Sequence, residues 1–146
     1  MPGVGRLTAT ALVALVGDIR RFPSGRQFAS VLGLTPKEDS SALRRRLGAI
    51  SKQGDVYLRM LLIPGARSVL VHAKRAAQPT AFQVWARTTQ QRRGHNIAAV
   101  AVANKLARIV WAVWTRQQPF TPEHPGTPVI PASMTSSHQE DCPELT

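Results

Sequence analysis

Ser40 and Ser41 stand three residues before an unbroken block of cations, Arg44-Arg45-Arg46, and Ser51-Lys52-Gln53-Gly54-Asp55 follows shortly after. Arginine forks match phosphate oxygens two at a time, and Lys52 adds a point charge to the same stretch. A hydroxyl beside them either donates to a phosphate or attacks it. Attack needs more than the hydroxyl: a base, a metal or strong charge stabilisation at the scissile phosphate. The neighbouring acids, Glu38 and Asp39, are equally suited to capping a turn. The residues alone therefore leave three readings: a phosphate grip, a serine nucleophile, and a solvated turn.

Two further groups are directed at anions. Gly3-Val4-Gly5 precedes an apolar helix at Thr8–Val16. Glycines there let backbone amides approach a phosphate, and the helix dipole favours the negative charge. The same spacing is also an unliganded turn. Lys105 and Arg108, three apart, share a helix face that Arg116 extends. Trp111 and Trp114 beyond them either stack on bases or fill the core. The histidines, His72, His95, His124 and His138, form no pair at metal-ligand spacing, so no metal site is read. Cys142 has no internal partner, consistent with a reducing compartment.

These residues must be positioned by helices. Ser24 with Gln27 spells a capping box, and Gly33 closes the helix that it opens. Asp55 caps a third helix with the stripe Leu58, Leu61, Leu62, Ala66, Val69 and Leu70, which Pro64 should kink or interrupt. A short helix spans Pro79 to Arg87. Asn96 caps a long one whose stripe runs Ile97, Val100, Ala101, Asn104, Ala107, Arg108, Trp111 and Trp114, with Asn104 placed to bond a neighbouring loop. Thr35–Lys52 reads as a loop with room for a short hairpin. The expected fold is mainly α: a compact helical domain with a helix-hairpin-helix-like N-terminal part, a basic loop and a long C-terminal helix.

Charge bounds the partner. Residues 1–117 hold all 19 Lys and Arg and four of the eight acids, a net charge of +15. Such an excess repels itself unless it meets a polyanion, and nucleic acid is the first candidate. A membrane surface is disfavoured, because no cationic helix carries a strongly apolar opposite face. No apolar run approaches the ~18 residues of a membrane span. The N-terminal apolar stretch lacks a cleavage site, so the chain is expected in the cytoplasm. Residues 118–146 carry six of the eleven prolines among Ser, Thr and Gln, a composition that cannot repay ordering by burial. We expect a domain at 1–117 and a disordered Pro-rich tail at 118–146.

The blocks "PGVG", "FPSGRQFASVLGLTP", "LGAISKQGDVYLR" and "NIAAVAVANKLARIVW" occur in that order. Together they closely resemble the C-terminal transposase domain of the DEDD-type, serine-dependent insertion-sequence transposases, the bridge-RNA-guided recombinases, over residues 2–117. The resemblance implies DNA transposition or site-specific recombination. It implies an additional N-terminal domain of resolvase-like fold whose acidic set holds divalent metal, with no cofactor in this chain. It implies that Ser41, with Ser40 as the alternative, is the nucleophile that links to DNA, and that Gly3, Gly5, Arg44, Arg45, Arg46, Lys52, Lys105 and Arg108 contact nucleic acid. The implied partners are DNA, a guide RNA, and a second copy or an acidic-domain partner. Two departures stand out. The family usually reads Ser-Ser-Gly-Gly, or at least Ser-Gly, where this chain reads Ser40-Ser41-Ala42-Leu43, and it often has His where Pro64 stands. Without the acidic set, the expectation is a split or truncated transposase, inactive alone. The other expectation is a catalytically inert nucleic-acid-binding module.

Overall fold

The computed structural model describes residues 1–38 and 47–120; Ser40, Ser41, Arg44, Arg45 and Arg46 lie outside them, as does the expected tail from residue 121. The described elements run α1 (Arg6–Val16), a 3₁₀ turn (Ile19–Arg21), α2 (Gly25–Val31), β1 (Pro36–Glu38), β2 (Leu47–Ile50), α3 (Val56–Arg75), α4 (Ala81–Arg93) and α5 (His95–Arg116). The architecture is mainly helical, as expected.

Local chemistry explains most of the boundaries. The Ser24 hydroxyl accepts from the Gln27 amide at 3.2 Å, but the return bond that would complete the expected capping box is not formed. The complete box is Thr80 with Gln83: the Gln83 amide donates to Thr80 Oγ1 at 3.4 Å, and the Thr80 amide donates to Gln83 Oε1 at 2.9 Å. Asp55 caps α3 by accepting from the Leu58 amide at 2.8 Å. Helix α4 continues past the expected end at Arg87, since nothing breaks it before Gly94 and Arg92 and Arg93 suit the negative end of its dipole. Gly94, at φ 84°, ends α4 and starts α5, so Asn96 is not the cap. Pro64 does not interrupt α3. It removes one helical amide but sits on the exposed side, where the freed carbonyl is open to water.

The centre of the molecule is α5, which packs against α2, α3 and α4. Its buried stripe is Ala98, Ala99, Val102, Ala103, Leu106 and Ala107. The expected stripe through Ile97, Val100, Ala101 and Asn104 is instead the neighbouring, partly open face. The helix is apolar on nearly every side, so periodicity did not select the buried one; the alanines did, because they let three helices approach closely. By length and composition α5 alone among the described helices could cross a membrane, but its alanine-rich face is enclosed by its neighbours. From α3, Leu58, Leu62, Ala66, Val69, Leu70 and Ala73 complete the core. Leu62 is fully buried, and truncating such a leucine to alanine typically costs about 2–5 kcal/mol. Trp111 and Trp114 are half-buried against this core, and Trp111 Nε1 donates to the Phe22 carbonyl at 2.9 Å.

Candidate nucleic-acid interface

Thr35–Lys52, read as a loop with room for a short hairpin, contains a short antiparallel stem. Pro36 pairs with Ile50 and Glu38 with Leu47, with a register irregularity between them. The Ser51 amide extends the ladder by donating to the Thr35 carbonyl at 2.9 Å. Its foot is clamped by two glycines. Gly33 adopts φ 68°, and a Cβ on Gly54 would overlap the Val31 carbonyl oxygen and come within 2.6 Å of the Gly33 nitrogen. The sequence blocks LGLTP and SKQGD are therefore two sides of one joint.

A single amide fixes the stem to the long helix. Asn104 Nδ2 donates to the Leu34 carbonyl at 3.2 Å, as the sequence suggested for that residue. Leu34 is buried, and leaving its carbonyl without a partner would cost about 1–3 kcal/mol. Residues 39–46, which include both serines and the arginine block, close this stem in sequence. The base of the stem is anchored to α2 and α5.

Between the stem and the helices lies an open groove of about 1070 Å³. Leu34, Pro36, Gly48 and Ile50 form the stem wall. The facing wall is the open side of α5, with Asn96, Ile97, Val100, Asn104, Lys105 and Arg108; Trp85 and Arg93 of α4 complete it. Among the described residues that line it, none is acidic. Two described carboxylates, Asp18 and Asp55, accept from backbone amides at helix starts.

Lys105 is held in place rather than trailing in water. Its Nζ lies 4.2 Å from the centre of the Trp85 ring and 5.6 Å from that of Phe82, two rings stacked at 6.0 Å. Burial, and then the nearby Arg108 guanidinium, lower its pKa from the ordinary lysine value. Desolvation and like-charge repulsion therefore oppose a cation–π attraction of about 0.5–2 kcal/mol. An incoming phosphate would offset those costs.

The expected residues divide into three groups. Lys105 and Arg108 meet in the groove, as their spacing implied. Gly3, Gly5 and Lys52 do not line it. Gly3, at φ 76°, faces Val69, Leu106 and Gly65; Gly5 is the exposed cap of α1, with no side-chain cap bond; Lys52 is exposed at the foot of the stem, at φ 53°. Ser40, Ser41 and Arg44–Arg46 lie outside the described residues. The sequence did not single out Trp85 or Arg93, and Asn96 was read only as a helix cap. Their place beside Lys105 is set by how α4 packs on α5, and no spacing rule encodes it.

The two described histidines are engaged locally: His72 Nδ1 lies 2.8 Å from the Ser68 carbonyl oxygen, and His95 Nδ1 2.8 Å from Gln90 Nε2. Among the described residues no three His, Cys, Asp or Glu side chains come together.

The model of the transposase IS116/IS110/IS902 family matches residues 1–83, from the α1 turn through the stem and α3 into the start of α4. The chain belongs to this family. It is 48% identical over 120 residues to the "probable family 20 transposase" of Pseudomonas aeruginosa, a match covering 82% of this chain and 35% of that protein. It is 46% identical over 120 residues to the transposase for insertion sequence element IS1111A of Coxiella burnetii, covering 82% and 32%. It is 30% identical over 122 residues to the pilin gene-inverting protein of Moraxella lacunata, covering 82% and 36%. The chain therefore spans about a third of the length of these relatives.

Proposed function

We propose that this chain is the DNA-handling C-terminal part of an insertion-sequence recombinase, working in the cytoplasm in DNA transposition or site-specific recombination. The observation that carries the reading is the stem. It is rooted on α5 by the Asn104–Leu34 bond and lies along the cationic groove, with Ser40, Ser41 and Arg44–Arg46 in the segment it closes. In this reading the arginines hold the DNA backbone and the Ser41 hydroxyl attacks a phosphorus. A serine–phosphate ester forms, the strand oxygen leaves, and the hydroxyl proton must be taken up by another group. Activation comes from a metal-bearing acidic domain, supplied in addition to these residues. A guide RNA and a second copy complete the assembly.

The test is complementation. An acidic domain and guide RNA from an intact relative are added, and a covalent protein–DNA adduct is sought. Ser41→Ala should abolish the adduct and Ser40→Ala should leave it. Loss with Ser40→Ala alone would move the nucleophile by one residue. A second reading, an inert nucleic-acid-binding module, draws on Ala42 and Leu43, which stand where the family has glycines. It predicts no adduct from this chain when the relative's own domain gives one, with rescue when Gly-Gly is restored.

A further inference from the structure

The groove has features that a site for a duplex backbone does not need. Its floor is apolar: Ile97 is 59% exposed on the wall of α5, and Val100 and Ala101 continue it toward the buried Leu34. A backbone phosphate gains nothing from such a surface. The carboxamides of Asn96 and Asn104 stand along the same wall. Asn104 uses its amino group on the Leu34 carbonyl, and no hydrogen bond to its oxygen is formed among the described residues. Arg93, Lys105 and Arg108 supply the cations.

We propose that this groove is a subsite for an unpaired nucleotide of a single-stranded DNA or RNA segment. The base lies against Ile97 and Val100. Its polar edge reaches the carboxamides, and its flanking phosphates reach Lys105, Arg108 and Arg93. A base out of its stack is the ligand that combines an apolar face, a donor–acceptor edge and adjacent anions. A base within a duplex hides that face between its neighbours. The inference rests on the proposed nucleic-acid function and adds a preference for unpaired over paired substrate.

The full chain is titrated by fluorescence anisotropy against a blunt DNA duplex and the same duplex with a short unpaired flank, the flank being DNA in one arm and RNA in the other. The flank should improve affinity by about fivefold or more, the lower end of what one held base contributes. Ile97→Gln and Val100→Gln, which leave the buried alanine stripe intact, should remove that gain and leave blunt-duplex affinity within about twofold, the charges being unchanged. A 5-iodouracil in the flank should crosslink to Trp85 or to residues 94–108. A gain in one arm alone would name DNA or RNA as the source. Salt-sensitive duplex binding with no flank gain would overturn this subsite and leave the proposed function standing. A gain that survives both substitutions, or a crosslink elsewhere, would also overturn it. Absence of salt-sensitive binding to any probe would overturn both.

Discussion

Gly65, at the midpoint of α3, faces the carbonyl of Gly3 so closely that a Cβ on Gly65 would overlap the Gly3 oxygen. From the other side, a Cβ on Gly3 would come within 2.8 Å of Val69 and 2.9 Å of Leu106. The N-terminal turn is thus docked into a notch where two backbones meet. Gly65→Ala gains helix propensity of about 1 kcal/mol but forces apart two backbones that cannot yield as side chains do. We expect net destabilisation of about 1–3 kcal/mol, seen as a lower midpoint in thermal unfolding. Gly3→Ala should behave likewise, with added strain at φ 76°. An unchanged midpoint in both would show that the turn does not dock there.

Gly5 offers the opposite case. Its φ of −84° and ψ of 179° are open to any residue, a Cβ would meet nothing within 4 Å, and α1 has no side-chain cap. Gly5→Ser should therefore supply the missing cap and raise stability by a few tenths of a kcal/mol. If DNA affinity fell sharply while stability rose, the bare amides at this helix start would be phosphate contacts, as the Gly-Val-Gly pattern first suggested.

What the sequence disclosed and what it hid follow one rule. Features encoded by neighbours in the chain were legible: the Asp55 cap, the α3 stripe, the hairpin between the LGLTP and SKQGD blocks, and the Lys105–Arg108 face. Features encoded by packing were not. The choice of buried face on α5 depended on which side the other helices occupied, and an all-round apolar helix gives no hint of it. The groove followed from that choice, because Ile97 and Val100 line it only once the alanines are turned inward. The sequence carries no mark of the role of Gly65, because its close approach to the chain's own N-terminus exists only in the fold.

The cations of the groove should set a measurable salt dependence. Each phosphate neutralised steepens the log–log plot of affinity against salt by about 0.9 on duplex DNA. With Arg93, Lys105 and Arg108 engaged, the full chain should show a slope of about −3 or steeper. Arg108 is exposed, so Arg108→Ala should leave folding intact and flatten the slope by about 1. A flat plot for the unmodified chain would contradict phosphate-led binding.

Helix α5 ends at Arg116, and Gln117 closes it by donating from Nε2 to the Trp114 carbonyl at 2.8 Å. The residues beyond Phe120 add prolines, polar residues and acids. Such a composition has little apolar surface to bury. Truncation after Phe120 should leave the unfolding midpoint and its cooperativity unchanged within a degree or two. A drop of ~5 °C or more, the scale of roughly 1 kcal/mol for a domain of this size, would mean that the segment packs on the helices.

Lys105 separates a structural role from a binding one. Its ammonium pKa is lowered on folding, by burial first and by Arg108 second, so the unfolded chain holds the proton more strongly. The sign follows directly. Below the folded pKa the penalty is constant, and as pH rises from there toward the ordinary lysine value of about 10.4 this group's contribution to stability increases. Lys105→Met keeps an unbranched stem over the Trp85 and Phe82 rings and removes the charge. The variant should hold or gain thermal stability at neutral pH and lose the part of the alkaline rise that Lys105 supplies. Its affinity for nucleic acid should fall by about tenfold at fixed salt, the scale of one lost charged contact. The wild type should approach the variant's affinity as pH climbs, since a neutral Lys105 no longer attracts phosphate. If the substitution instead lowers the unfolding midpoint and leaves affinity unchanged, Lys105 is a clamp between α4 and α5 and the anion-receiving role fails.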